Sequence, residues 1–292
     1  MNARTYNWLL FVVLSLIWGS SFILMKIGLQ HLTAYDVASI RILSAGIVLL
    51  PFARTAWKQV PRNKVGTVII AGLVGNFFPA FLYCIAEIKI DSSLAAILNA
   101  LTPLCTIVIG VIFFQLRTTT AKIIGVLIGF FGLVLLPFAQ REQINFTNFG
   151  YSTLVLIATL CYGLNGHIVN RYLRDISSLQ IAALSFSSFI PICVLILAFN
   201  GFFKLDILHD GIPFSVLASV VLGIMGTAIA TIWFYMLVKS AGTIFASLVT
   251  YGIPFTAIIW GFLYGESINL LEMLCLALIL AGVYLSSKQK NK

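Results

Sequence analysis

Along the chain, long apolar runs alternate with short polar connections, and the runs show no period-two alternation of apolar and polar positions. Several exceed 18 residues, and ~20 residues of helix cross the hydrocarbon core of a bilayer. Lipid offers backbone groups no hydrogen-bond partner, so such a run must be a helix or belong to a closed barrel. The lack of alternation excludes the barrel. The pattern predicts helices at 8–29, 35–53, 65–86, 93–114, 122–139, 150–170, 178–200, 213–238, 243–264 and 270–287. The expected fold is therefore an all-α polytopic membrane protein with ten transmembrane helices.

Composition agrees: 60% of the 292 residues are hydrophobic and 9% charged, against about 25% charged in soluble domains. The formal charge of +9 reads as a topology signal. With these helices, thirteen Lys and Arg fall on one side, three (Lys89, Arg141 and Lys204) on the other, and Lys26 and Arg41 within spans. The positive-inside rule then places both termini in the cytoplasm, expected to be that of a bacterial cell with the chain in its plasma (inner) membrane. No basic patch is interleaved with base-stacking aromatics, so nucleic acid is not an expected partner. The five cysteines lie inside apolar runs without C-x-x-C spacing and read as packing residues.

The two halves resemble each other. An offset of 144 puts Trp18-Gly19 on Tyr162-Gly163 and Ala38 on Ala182. An offset of 151 puts Gly72, Gly75, Pro103 and Gly110 on Gly223, Gly226, Pro254 and Gly261, and one of 150 puts Gly132 on Gly282. The ordered series divides the chain into repeats of residues 1–140 and 141–292. With five helices per repeat, the second copy must insert upside down. This 5+5 inverted-topology plan recurs in secondary transporters, with the site near mid-membrane at the repeat interface.

Trp18-Gly19-Ser20-Ser21-Phe22 followed by Lys26 and Arg41 resembles the first helix pair of EamA-type transporters, of the drug/metabolite transporter superfamily. Ser92-Ser93-Leu94-Ala95-Ala96 running to Thr102-Pro103, Ala246-Ser247-Leu248 running to Ile253-Pro254, and Tyr264-Gly265-Glu266 match further family stretches. The resemblance spans essentially the whole chain as two units. It implies a 5+5 inverted repeat around a central cavity, with the fifth and tenth helices outside it. Two positions depart: Gln115-Leu116 stands where the family usually has Gly-Glu, and Cys275 where glycine is usual. The family moves very different solutes, so the resemblance names no substrate.

Pro103 and Pro254 fall near the middle of the predicted fourth and ninth helices, where each removes an N–H and displaces the carbonyl four residues earlier. These carbonyls belong to Asn99 and Thr250. Two symmetric kinks beside polar faces suggest hinges in a cavity wall; the plainer reading is kinks that only shape packing. The candidate substrate-binding set is Trp18, Asn76, Tyr83, Asn99, Tyr162, Asn165, Thr250 and Tyr251, largely apolar with a few placed polar groups. Helix–helix hydrogen bonding is the competing role for each. Lys26 and Arg41 form a candidate charged outer gate; either can instead snorkel outward or pair with Asp36, Glu87 or Glu266. An unpaired one in the cavity would favour an anionic or zwitterionic solute. His167 is the candidate for proton coupling, its plainer role being a neutral partner for a neighbouring helix.

Gly125, Gly129 and Gly132 on helix five and Ala277 and Ala281 on helix ten form small-residue stripes suited to scaffold packing or dimer contact. A monomer or weak homodimer in a lipid bilayer is expected. No metal or cofactor motif is visible. The leading reading is a secondary transporter of a small organic solute such as an amino acid, metabolite or drug-like compound, exporting it or letting it equilibrate by alternating access. An intramembrane enzyme is the first alternative, because His31 and Asp36 fit the H-x-x-x-x-D pattern of acyltransferases. A channel is the second, but charged rings and filter loops are missing. The chain is not expected to be an enzyme.

Overall fold

The computed structural model describes residues 2–116, 120–139, 146–206, 209, 211–266 and 269–287. Arg117, Arg141, Glu142, Asp210, Lys288, Lys290 and Lys292 lie outside the described residues. Among those described, regular structure is all helical. In chain order the helical rods are α1 (Ala3–Gly28), α2 (Ala34–Gln59), α3 (Arg62–Ala86), α4 (Ser92–Phe114), α5 (Thr120–Ala139), α6 (Phe146–Tyr172), α7 (Ser178–Phe199), α8 (Ile212–Ala241), α9 (Thr243–Leu263) and α10 (Leu270–Ser287). All but α5 and α10 are long and apolar enough to cross a membrane. Apolar stretches of those two, Ile123–Gly132 and Leu270–Gly282, are shorter.

The helices extend beyond the predicted apolar runs where polar residues still favour helix. α2 continues past Pro51 through Arg54 and Lys58, which hydropathy had placed beyond its end. Its start is fixed by a capping box: Asp36 N donates to Thr33 Oγ1, and Thr33 N to Asp36 Oδ2. Asp36 also accepts from Asn200, so the acidic member of the H-x-x-x-x-D pattern is engaged as a helix cap.

Side-chain contacts between helix ends and connections define two ends of the bundle. At one end Lys64 pairs with Asp175 at 2.6 Å, Gln180 donates to Gln59, Ser240 to Asn7, and Lys239 to the Ile176 carbonyl. Arg4, Arg62, Arg171 and Arg174 lie on or beside the same helix ends, so this is the basic end. At the opposite end Lys26 in the last turn of α1 reaches Asp91 and Glu266 in the α3–α4 and α9–α10 connections, and Asn200 after α7 reaches Thr33 in the α1–α2 connection. Large apolar side chains such as Leu127, Phe130, Phe199, Phe262 and Leu270 point outward and are exposed, a surface suited to lipid.

α2 packs along α7, and α5 along α10. In the second pair, Gly282 approaches the Gly129 backbone so closely that a Cβ would overlap it. The glycine stripe of helix five is thus used within the chain. α2 also joins the helices that enclose the centre, where α6 packs against α3 and α4, and α1 against α8 and α9.

The rods that carry Pro103 and Pro254 are interrupted rather than kinked within one continuous helix. α4 breaks at Ala100 and Leu101, and α9 passes through a 3-10 turn at Leu248–Tyr251. Pro103 and Pro254 sit in the first turn of the helical piece that follows, where proline's missing N–H costs no internal bond. The expectation of two mid-helix kinks is corrected in this respect. Two other rods carry paired irregularities: Leu73–Phe77 in α3 and Leu222–Ile229 in α8 are π-helical, a geometry frequent at functional sites.

Candidate functional site

A cavity with about 70 Å³ of room for the centres of water-sized molecules lies at the centre, where the irregular segments meet. The π-helical stretches contribute Gly75, Asn76 and Gly226, while the interrupted rods contribute Asn99, Thr102, Ser247 and Thr250. Gly75 and Gly226 allow the close approaches: a Cβ on Gly75 would overlap the Asn165 amide, and one on Gly226 would sit 2.6 Å from Ser21 Oγ. These contacts correspond under the sequence offsets, Gly75 to Gly226 and Ser21 to Asn165.

Two aromatic pairs line the cavity. Trp18 packs on Phe234 with ring centroids 5.2 Å apart, and Tyr83 stacks on Tyr162 at 6.0 Å. They correspond by the same offsets. Their polar tips face protein: Trp18 Nε1 donates to the Gly226 carbonyl (2.9 Å) and Tyr83 Oη to Asn99 Oδ1 (2.7 Å). Thr102 Oγ1 donates to the Asn99 carbonyl (2.7 Å), partnering a group that the proline step would otherwise expose to a low-dielectric interior. Towards the basic end, Thr231 donates to Asn76 Oδ1, Asn76 Nδ2 to Tyr235 Oη, and Tyr235 to Asn165 Oδ1.

Arg41 is the charged residue among those lining the cavity. It is buried and neither snorkels nor pairs with Asp36, Glu87 or Glu266. Its Nε donates to Thr227 Oγ1 at 2.7 Å, and Nη1 lies 3.7 Å from Met25 Sδ. Among the described residues its side chain forms no ion pair.

Lys26 stands apart from the cavity in a latch at the opposite end. It pairs with Glu266 at 2.6 Å and with Asp91 at 3.2 Å. Glu266 also accepts from the Ser92 and Ser93 backbone N–H groups and from Ser93 Oγ (3.2, 3.1 and 2.8 Å). One carboxylate thus occupies the N-terminus of α4, where free N–H groups and the helix dipole favour an anion, and ties it to α1 and α9. Burial raises the Glu266 pKa, but the bonds from Lys26 and Ser93 outweigh that and hold it below its ordinary value. Beside it, burial and the Glu266 charge push the Glu87 carboxyl well above the carboxylate range.

Of the sequence-predicted binding residues, Trp18, Asn76, Tyr83, Asn99, Tyr162, Asn165 and Thr250 line the cavity. Tyr251 is not among its lining residues. Neighbouring residues of a helical turn point about 100–120° apart, and while Thr250 faces inward, Tyr251 packs against the apolar core. His167 is buried between helices, where Nε2 donates to the Thr106 carbonyl at 2.9 Å and the ring stacks on Phe114. The sequence reading missed Ser21, Phe234 and Tyr235 among the lining residues. The repeat could have supplied two of them, because Phe234 is the counterpart of Tyr83 and Ser21 of Asn165.

The EamA-like transporter family model matches residues 6–138 and again 150–288. An uncharacterized transporter of Archaeoglobus fulgidus is 24% identical over 97% of this chain and 99% of its own. The uncharacterized inner membrane transporter YedA of Escherichia coli K12 is 25% identical over 93% of this chain and 87% of its own. A solved crystal structure at 16% identity superposes with a TM-score of 0.67, covering 97% of this chain and 96% of that one, which shows the shared fold. The chain belongs to the EamA-like transporter family.

Proposed function

We propose that the chain is a secondary transporter of a small organic solute, built as ten membrane-spanning helices in two inverted five-helix units and working by alternating access. The observation carrying this reading is a central cavity lined by corresponding elements from both halves: two π-helical segments, two interrupted helices and two aromatic pairs. Such breaks create places where packing has discrete alternatives, as a two-state rocking motion requires. Pro103 and Pro254 are the proposed hinges. Two successive matches to one family model support the duplication. The engaged His167 favours movement down the solute's own gradient over coupling to protons through this ring.

The test is uptake of a mixed panel of radiolabelled amino acids, organic acids and drug-like solutes into liposomes. Asn99→Ala removes the acceptor of the Tyr83 hydroxyl, and Tyr162→Ala removes one ring of a stack. A lost hydrogen bond plus lost aromatic contact is worth roughly 1.5 kcal/mol, so uptake is expected to fall about tenfold in each variant while melting shifts by only a few degrees. Wild-type protein that moves none of the panel, or variants with full uptake, would refute the reading.

We also propose that the basic end faces the cytoplasm of a bacterial-type cell, on the asymmetry of Lys and Arg. Single cysteines at Asn63 and Lys204, both exposed and at opposite ends, should label from opposite sides of the membrane in a cysteine-free background. Labelling from one side contradicts the orientation.

A further inference from the structure

Resting on the transport reading, we infer that the cavity selects organic monoanions: solutes with one carboxylate held by Arg41 and a flat apolar body against the two aromatic pairs. A guanidinium has five N–H donors in a planar fork. One bonds Thr227 and one approaches the Met25 sulfur, which leaves the others for a ligand. A buried cation without a countercharge is costly, and an entering carboxylate supplies that charge with bidentate geometry.

The remaining chemistry narrows the class. Among the described residues no Asp or Glu lines the cavity, so an ammonium group would find no countercharge there. The side-chain carbonyls of Asn76, Asn99 and Asn165 already accept from Thr231, Tyr83 and Tyr235, so a zwitterion would leave its ammonium poorly matched. A dianion would exceed the single positive charge. The second half does not duplicate the receptor: the counterpart of Arg41 is Ser185, whose hydroxyl donates to the Val68 carbonyl. The ligand is therefore held asymmetrically, its charged end towards α2 and α8.

Four probes of one shape separate the possibilities: 3-phenylpropanoate, its neutral amide, phenylalanine, and 3-phenylpropan-1-amine. Binding is read as a shift of melting temperature with probe concentration, and competition as inhibition of whichever panel solute the wild-type protein transports. The carboxylate is expected to bind at least tenfold more tightly than the amide, with phenylalanine weaker than the carboxylate and the amine weakest. A hydrogen bond to a charged group predicts roughly 30-fold loss of carboxylate binding in Arg41→Gln, with the amide unaffected and Arg41→Lys intermediate. The comparison within wild-type protein holds even if a variant fails to fold. Equal binding of carboxylate and amide, no binding of the carboxylate at millimolar concentration, or phenylalanine as the tightest probe overturns the proposal. Transport of neutral or cationic solutes with no effect of the carboxylate would do so while leaving the transport reading intact.

Discussion

Glu266→Ala is expected to release the end of the molecule opposite the basic cluster, lowering the melting temperature and exposing the α4 N-terminus to water. The carboxylate side chain is only 3% exposed and Lys26 33%. Its loss leaves Lys26 with only the longer, exposed pair to Asp91 and takes the acceptor from two backbone N–H groups and the Ser93 hydroxyl. Breaking a fully buried pair by removing one partner costs about 3–5 kcal/mol; the partial exposure of Lys26 reduces this to about 2 kcal/mol. If the latch exists only while this end is closed, that cost shifts the balance between facings by roughly 30-fold. A cysteine at Ser93 in the Glu266→Ala background should then react with an impermeant thiol reagent at least tenfold faster than in an otherwise wild-type chain. Unchanged reactivity and melting would show that the latch neither closes nor stabilises this end. The pH dependence has a definite sign. Glu266 has a depressed pKa, so its contribution is present above the ordinary glutamate value of about 4.3 and is lost as pH falls through the lower folded value.

Among the described residues the latch has no ionic counterpart in the first repeat. Glu266 N donates to the Gly261 carbonyl and Leu116 N to the Gly110 carbonyl, after Gly265 and Gln115 with positive φ. The backbone turn is thus kept twice, but Leu116 stands where the carboxylate would be. The N-terminus of α9, the counterpart of that of α4, carries Thr243, whose hydroxyl donates to the Gly166 carbonyl. Removing Glu266 should therefore act on one facing rather than on both.

Much of this was legible in the sequence because lipid makes burial visible as continuous apolar runs. The rods needed no tertiary information beyond that. The proline positions were legible as breaks in hydrogen bonding, but not as complete interruptions, since the Thr102 hydroxyl that satisfies the Asn99 carbonyl and the turn at Ala100 depend on packing. The partners of the two charges near the first connection were not fixed either. Lys26 and Arg41 are 15 positions apart, yet one reaches Glu266 across the fold and the other turns into the cavity towards Thr227. That choice depends on the π-helical turn of α8, which presents the Thr227 hydroxyl to α2 and has no hydropathy signature. Tyr251 stands outside the cavity lining for a related reason: depth alone carries no azimuth, and the 3-10 turn gives the inward direction to Thr250.

Gly75→Ala is expected to disable transport by crowding the cavity wall, and a second substitution should separate the packing effect from the chemical one. The added methyl would overlap the Asn165 amide. Asn165 is buried and accepts from the Tyr235 hydroxyl, so its short side chain can yield only into the cavity, at the expense of that bond. Overpacking of this kind costs about 1–3 kcal/mol, and the displaced amide also breaks the chain of bonds from Thr231 through Asn76 and Tyr235. Asn165→Ala alone makes room but removes an acceptor, at about 1 kcal/mol. In the double variant the new methyl occupies space the amide vacated. Its destabilisation should be at least 1 kcal/mol less than the sum of the single changes, as expected for residues in direct contact. Transport should stay low, because the polar wall is not rebuilt. At the corresponding site, the nearest atoms to a Gly226→Ala methyl are the Ser21 hydroxyl and the end of Leu222; a smaller loss is expected there, since a hydroxyl can rotate aside. Additive melting shifts at Gly75 and Asn165 would show that the two do not share the space assigned to them. Recovery of transport in the double variant would show that Asn165 matters for packing and not for the solute.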